Sequence, residues 1–251
     1  MLEIQVKRKS NMLKDKQIDL CGQVDFCRTV PLLECTEKFT FACNGCGDCC
    51  RGREDIVLSG FDLWRIAKRL RLPPQIVSQA FCRGAIGQVS RLPVLRIAPV
   101  KNRRNNCPFL SGNECAIHDA EPLVCALYPL AQEISAEGEV SYFLQPTNCG
   151  GNIFEAKVDD YLQRYNVQLR EETDVSWALA CMKLETETEK LVPQLEPVLL
   201  RRYYDKVWQA LYYKYDVEVD FLPQFKANLV WLAAEKDKLL EFQQQRSYRK
   251  K

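Results

Sequence analysis

The stretch Cys43-Asn44-Gly45-Cys46-Gly47-Asp48-Cys49-Cys50 places four thiols within eight residues. Two residues between successive cysteines let their sulfurs reach one ion from a tight turn, and Gly45 and Gly47 permit the positive backbone angles that such a turn often needs. The spacing points to a metal and marks a small cysteine-rich, metal-centred α+β domain. The vicinal pair adds a constraint. Neighbouring side chains in an extended segment point to opposite sides, so Cys49 and Cys50 are expected to serve different centres, or one of them to be a packed or redox-active thiol.

The whole chain holds 13 cysteines in 251 residues, a count that would suggest a disulfide framework in a secreted protein. Its first residues, Met1 to Ser10, are charged and lack the apolar core and cleavage site of a signal peptide, so a cytoplasmic location is expected. Thiols in a reducing compartment stay reduced, and clustered ones are more often ligands or catalytic groups than crosslinks. Apolar runs such as Asn228 to Ala234 fall well short of the roughly 20 residues a bilayer demands, so no membrane span is expected. With 35 Lys and Arg against 33 Asp and Glu, the net charge of +2 gives no whole-molecule argument for nucleic acid.

Working outward from the loop, residues 1–35 read as a mostly polar extension in which Cys21, Cys27 and Cys35 follow no ligand pattern. Residues 36–151 form the expected cysteine-cluster domain. Within it Ile56 to Leu58 suggests a strand, and Ser59 with Asp62 forms a capping box before an amphipathic helix to Leu70. Pro74 suits the start of a second helix through Phe81. Arg91 to Val100 reads as a strand, followed by the basic turn Lys101 to Asn106, a solvated loop or a site for an anion. Pro122 opens and Pro129 ends a short helix, and two strands flank a turn at Glu137-Gly138. Residues 152–251 form a mostly helical C-terminal region: Phe154 to Leu169, Val175 to Leu191 and Leu195 to Gln245 carry helical periodicity, the last broken between Asp216 and Pro223. The aromatic set Tyr203, Tyr204, Trp208, Tyr212, Tyr213 and Tyr215 is expected to pack these helices together, with a partner surface as the sharper alternative.

Downstream cysteines extend the loop to Cys43, Cys46, Cys49, Cys50, Cys107, Cys115, Cys125 and Cys149. Eight thiols would fill two four-coordinate centres, or one centre with thiols to spare. The loop Phe41-x-Cys43-x-x-Cys46-Gly47-x-Cys49-Cys50-Arg51, followed by Cys107-Pro108-Phe109-Leu110, Cys115-x-Ile117, Pro122-x-x-Cys125 and Tyr128-Pro129, resembles the zinc- or iron-chelating CxxCxxCC (YkgJ-type) family over residues 41 to about 151. The chain departs from the family pattern at Glu121, where an arginine is usual, at Ala126, often an arginine, and at His118. As the only histidine, His118 excludes two-histidine sites within one chain, and an outer or surface role is favoured for it. The run Cys-x2-Cys-x2-Cys with a distant fourth cysteine is of ferredoxin type and favours an iron–sulfur cluster, 4Fe-4S, over zinc. Zinc stays open.

Two function classes follow. In the first, the cysteine half binds metal and the helical half recognises a protein partner. In the second, the chain is an enzyme: the cysteine-cluster family is similar to the cluster region of flagellin lysine N-methylases, and the resemblance would imply methyl transfer to lysines of a protein substrate. No glycine-rich nucleotide loop of the Rossmann type is visible. Disulfide exchange at Cys49-Cys50 ranks last, because alpha carbons about 3.8 Å apart rarely allow an unstrained bridge.

Overall fold

The computed structural model describes residues 32–33, 36–43, 45–101, 105–145 and 151–249. Cys21, Cys27, Cys35 and Cys149, and residues 102–104 of the basic turn, lie outside them. The architecture is α+β, with small antiparallel sheets in the first part of the chain and helices in the second. Strands β1 (Leu32–Leu33) and β2 (Lys38–Ala42) precede a 3-10 turn at Asp48–Cys50; then come β3 (Val57–Leu58), helices α1 (Gly60–Leu70) and α2 (Pro74–Phe81), and strands β4 (Cys82–Ile86) and β5 (Pro93–Ile97). A two-residue hairpin, β6 (Leu110–Ser111) and β7 (Glu114–Cys115), leads to the short helix α3 (Leu123–Ala126) and strands β8 (Leu130–Ile134), β9 (Val140–Leu144) and β10 (Gly151–Lys157). Helices α4 (Val158–Arg164), α5 (Glu171–Leu191), α6 (Pro197–Trp208) and α7 (Phe221–Arg249) complete the fold. The sheets run β1-β9-β8, β10-β2, β3-β5-β4 and β6-β7. No helix among the described residues is long and apolar enough to cross a membrane.

Several elements follow from local sequence. Ser59 caps α1 as expected: its hydroxyl accepts from the Asp62 amide at 3.0 Å, and Asp62 accepts from the Ser59 amide at 2.9 Å. Leu63, Ile66 and Ala67 recur at helical spacing and are buried, and Leu63 and Ile66 gain about 1.5–3 kcal/mol each from that burial. Pro74 occupies the first position of α2. Gly138, at φ 85°, turns the chain from β8 into β9.

Other elements depart from expectation. The sequence predicts helix from Phe154, whereas Gly151–Lys157 is extended, pairing with β2 at Glu155↔Thr40, Ala156↔Phe39 and Lys157↔Lys38. A partner strand so distant in sequence satisfies the backbone and overrides local helical periodicity. Leu32 and Leu33, assigned from sequence to the polar extension, pair with Phe143 and Tyr142 of β9.

One large core joins the two halves. Leu58, Leu63, Ile66, Leu95 and Ile117 share it with Trp177, Leu199, Tyr203, Tyr212, Phe225 and Leu232 of the helical region. The aromatic set is mainly structural: Tyr203, Tyr212 and Tyr215 are buried, and Trp177 meets Tyr212 edge-on at 5.6 Å. The Tyr212 hydroxyl also reaches the carbonyls of Leu58 and Pro93, both at 3.3 Å, tying a π-helical turn at Gln209–Tyr213 to the central sheet. Gly60 lets α1 approach that turn, since a Cβ there would lie 2.1 Å from the Leu211 carbonyl oxygen. A second, smaller core collects Phe39, Phe41, Leu127, Leu130, Tyr142, Val158 and Tyr161. Cys107, Cys115 and Cys125 lie half-buried against the larger core.

Candidate metal centre

The loop is shaped first by its glycines. Gly45 and Gly47 take φ of 66° and 72°, a region an L-residue adopts only with strain, and the chain then enters the 3-10 turn. Cys50 donates its amide to the Gly47 carbonyl at 3.0 Å. The backbone at the vicinal pair is therefore a turn and not the extended segment from which opposed side chains were expected. In a 3-10 turn successive side chains are separated by about 120° rather than lying on opposite faces, and the Cys49 thiol donates to Cys50.

Convergence with the distant cysteines comes from backbone pairing. Arg51 and Asn106 form an antiparallel bridge, and the Cys107 amide donates to the Cys50 carbonyl at 2.8 Å, so the Cys50 and Cys107 side chains meet. Arg51 then secures the loop to the β6–β7 hairpin. Its guanidinium donates to the Cys46 carbonyl at 2.5 Å, to Asn113 Oδ1 at 2.6 Å and to the Gly112 carbonyl at 3.3 Å, with the Asp48 carboxylate 3.6 Å away. Leu110 pairs with Cys115 in that hairpin, which places Cys115 beside the loop. Cys125 sits in α3, its amide donating to the Pro122 carbonyl at 2.9 Å.

The electrostatics have a direction. Cys49 is pushed far up, first because it donates to Cys50 and then by burial. Cys50 is pushed up to about 11, chiefly because it donates to Cys107. Cys107 is held below the ordinary thiol value, first by accepting from Cys50. Burial raises Cys115, and raises Cys125 strongly, with the Glu121 carboxylate adding to both. Glu121 is itself pushed up by burial, against the pull of His118, whose Nδ1 lies 3.3 Å from Glu121 Oε2. The imidazole is 68% exposed and the carboxylate 12%, so His118 faces solvent and Glu121 faces the thiols. One negative charge is therefore most easily held on Cys107. Further thiolates need a cation among them, and the donor chemistry fits one, because a coordinating thiol is deprotonated by its metal.

The described cysteines carry no disulfide. Among the described residues no group of three or more His, Cys, Asp or Glu side chains is gathered closely enough to hold an ion; the thiols meet in pairs, Cys49 with Cys50 and Cys50 with Cys107. Cys43 is exposed, and Cys46 is half-buried. Cys82 on β4 is pushed up to about 12 by burial alone, and Cys181 is buried in the large core, so both stand apart from the thiol group. Sequence reasoning did not give Arg51, Glu121 or Tyr161 a role in the site. Tyr161, on α4, donates its hydroxyl to the Tyr128 carbonyl, and its ring packs on Phe39 at 5.2 Å. Only the place of Arg51 directly after the vicinal pair hinted at its part.

Residues 42–150 match the model of the CxxCxxCC family, described as "Putative zinc- or iron-chelating domain". Over these residues, a little under half of the chain, the sequence is similar to that family. No curated protein and no solved structure matches the chain. The matched residues hold every thiol of the paired group and the Arg51 clamp, but the large core is completed by helices that lie beyond them.

Proposed function

We propose that the CxxCxxCC domain binds an iron–sulfur cluster through a single group of thiols: Cys49, Cys50, Cys107, Cys115 and Cys125, joined by Cys43, Cys46 and Cys149 of the same motif. The observation that carries this reading is the continuous path Cys49 to Cys50 to Cys107, with Cys115 and Cys125 within electrostatic reach of it. Two separate centres would have divided the vicinal pair. One zinc and one cluster each take four thiolates, so the number of thiols does not choose between them; the ferredoxin-like run Cys43-x2-Cys46-x2-Cys49 favours the cluster. Bound iron and sulfide would supply electron transfer or a structural anchor. The protein's own contribution is to hold the thiols in place and to place the Glu121 carboxylate beside them.

The test is anaerobic purification with iron, sulfide and zinc analysis of the full chain. A brown protein with a broad visible absorption and acid-labile sulfide is expected; a colourless protein with stoichiometric zinc overturns the iron–sulfur reading. Cys50→Ser should lose most of the bound metal, and Cys82→Ser should lose none. Equal metal content in both variants would show that the thiol path is not the site.

A further inference from the structure

Helix α1 faces the segment leading into α3 with one stripe and the helical region with others. Asp62, Arg65 and Arg69 recur at spacings of three and four, so they share a face. Arg65 donates to the Glu121 carbonyl at 3.1 Å and to the Asp119 carbonyl at 2.8 Å, and Arg69 donates to Asp119 Oδ1 at 2.9 Å. Asp62 Oδ1 accepts from the Leu123 amide, the first residue of α3, at 3.1 Å. This stripe thus holds the backbone that carries Cys125.

The same Asp62 oxygen accepts from Arg170 Nη2 at 2.7 Å. Arg170 also grips Asp174, with Nε at 2.7 Å and Nη2 at 2.9 Å, at the start of α5. The ion pair is sealed from water, with side chains 4% and 6% exposed for Asp62 and Arg170. The Phe61 ring covers the guanidinium at 5.2 Å. Asp62 Oδ2 is taken by the Ser59 amide and hydroxyl, both at 2.9 Å, so all four acceptor positions of one carboxylate are in use. Losing one donor would leave a buried carboxylate oxygen under-satisfied, a costly state in a site sealed from water.

We infer that Asp62 and Arg170 are positioning residues of the metal centre: Arg170, outside the CxxCxxCC domain, fixes the carboxylate that holds the N-terminus of α3 and with it Cys125. Metal retention and the docking of α5 are therefore coupled, and the coupling is reciprocal, so that metal tightens α5 as α5 tightens metal. The inference rests on the reading of the cysteine group as a metal site.

The full chain loaded with Zn(II) as a probe and challenged with a chelator gives the release rate, and hydrogen exchange over Glu171–Leu191 with and without zinc gives the reciprocal effect. Arg170→Met and Asp62→Asn should each release zinc about 10- to 100-fold faster, the usual cost of losing an outer partner of a ligand. Zinc should slow exchange in α5 of the wild type and lose that effect in both variants. Asp62→Asn keeps an acceptor for Leu123 and serves where Arg170→Met does not fold. Leu232→Ala, a cavity in the shared core far from this pair in sequence, controls for lost stability. Zinc release in both variants at the wild-type rate, or no faster than in Leu232→Ala, overturns the coupling. A wild type that holds neither zinc nor iron overturns the metal reading itself, and the coupling with it.

Discussion

Replacing Gly60 by alanine tests whether α1 and the helical region are packed as closely as the structure has them. A Cβ at Gly60 would lie 2.1 Å from the Leu211 carbonyl oxygen and 2.7 Å from Trp177 Cζ3. The indole could turn, but the carbonyl belongs to the π-helical turn at Gln209–Tyr213 and cannot yield alone. To restore an ordinary contact α1 must move by about 1 Å, and overpacking of this kind costs about 1–3 kcal/mol, with a backbone clash at the upper end. Alanine's better helix propensity returns up to about 1 kcal/mol. A net loss of roughly 2 kcal/mol is expected, or about 4–8 °C in Tm for a chain of this size. Gly84→Ala is the control, because the Cβ there meets Trp208 Cη2 at 2.6 Å, the far edge of a half-buried side chain that can turn aside. It should cost under about 1 kcal/mol. Urea denaturation of both variants gives the comparison, with unchanged slopes confirming that only stability moved. If Gly60→Ala lies within about 0.5 kcal/mol of the wild type, or costs less than Gly84→Ala, the close approach of α1 to the turn is wrong.

Burial pushes the Asp174 carboxyl up to about 6 despite Arg170, whereas at Asp62 burial is outweighed by Arg170 and Ser59 and the carboxyl is held low. Because the folded value of Asp174 lies above the unfolded 3.8, its contribution is fully present below pH 4 and is lost as pH rises through 6. The wild type should therefore lose stability relative to Asp174→Asn between pH 4 and pH 7, and a difference that stays flat with pH, followed by thermal denaturation, contradicts this. Arg51→Ala removes the clamp between the loop and the hairpin and should speed metal release to a chelator about tenfold. Arg51→Lys should not restore retention, because one ammonium cannot reach Cys46 and Asn113 with a planar fork; full rescue by lysine would mean that charge alone matters.

The sequence makes legible whatever is set by near neighbours. The Ser59–Asp62 box, the apolar stripe of α1, Pro74 at the head of α2 and the turn at Gly138 all depend on residues within a few positions of one another. What it hid depends on distant pairing. Gly151–Lys157 is a strand because Lys38–Ala42 lies beside it, and Cys49 and Cys50 point together because the chain there turns instead of extending. Cysteine spacing named the candidate thiols, but the joining of Cys50 to Cys107 needed the Arg51–Asn106 bridge. Asp62 is recognisable as a capping residue; its second oxygen gains meaning only when Arg170 is folded against it.

The shared core also sets an order of events during synthesis. Cysteines 43 to 50 leave the ribosome well before Phe221, whose ring packs on Phe61 and Trp64 of α1. At about 5–20 residues per second the delay is roughly ten to forty seconds. Through that interval the early thiols have no finished wall behind them, so a nascent chain depends on whatever keeps them reduced and uncommitted, and loading with metal belongs to the moment when the last helix closes.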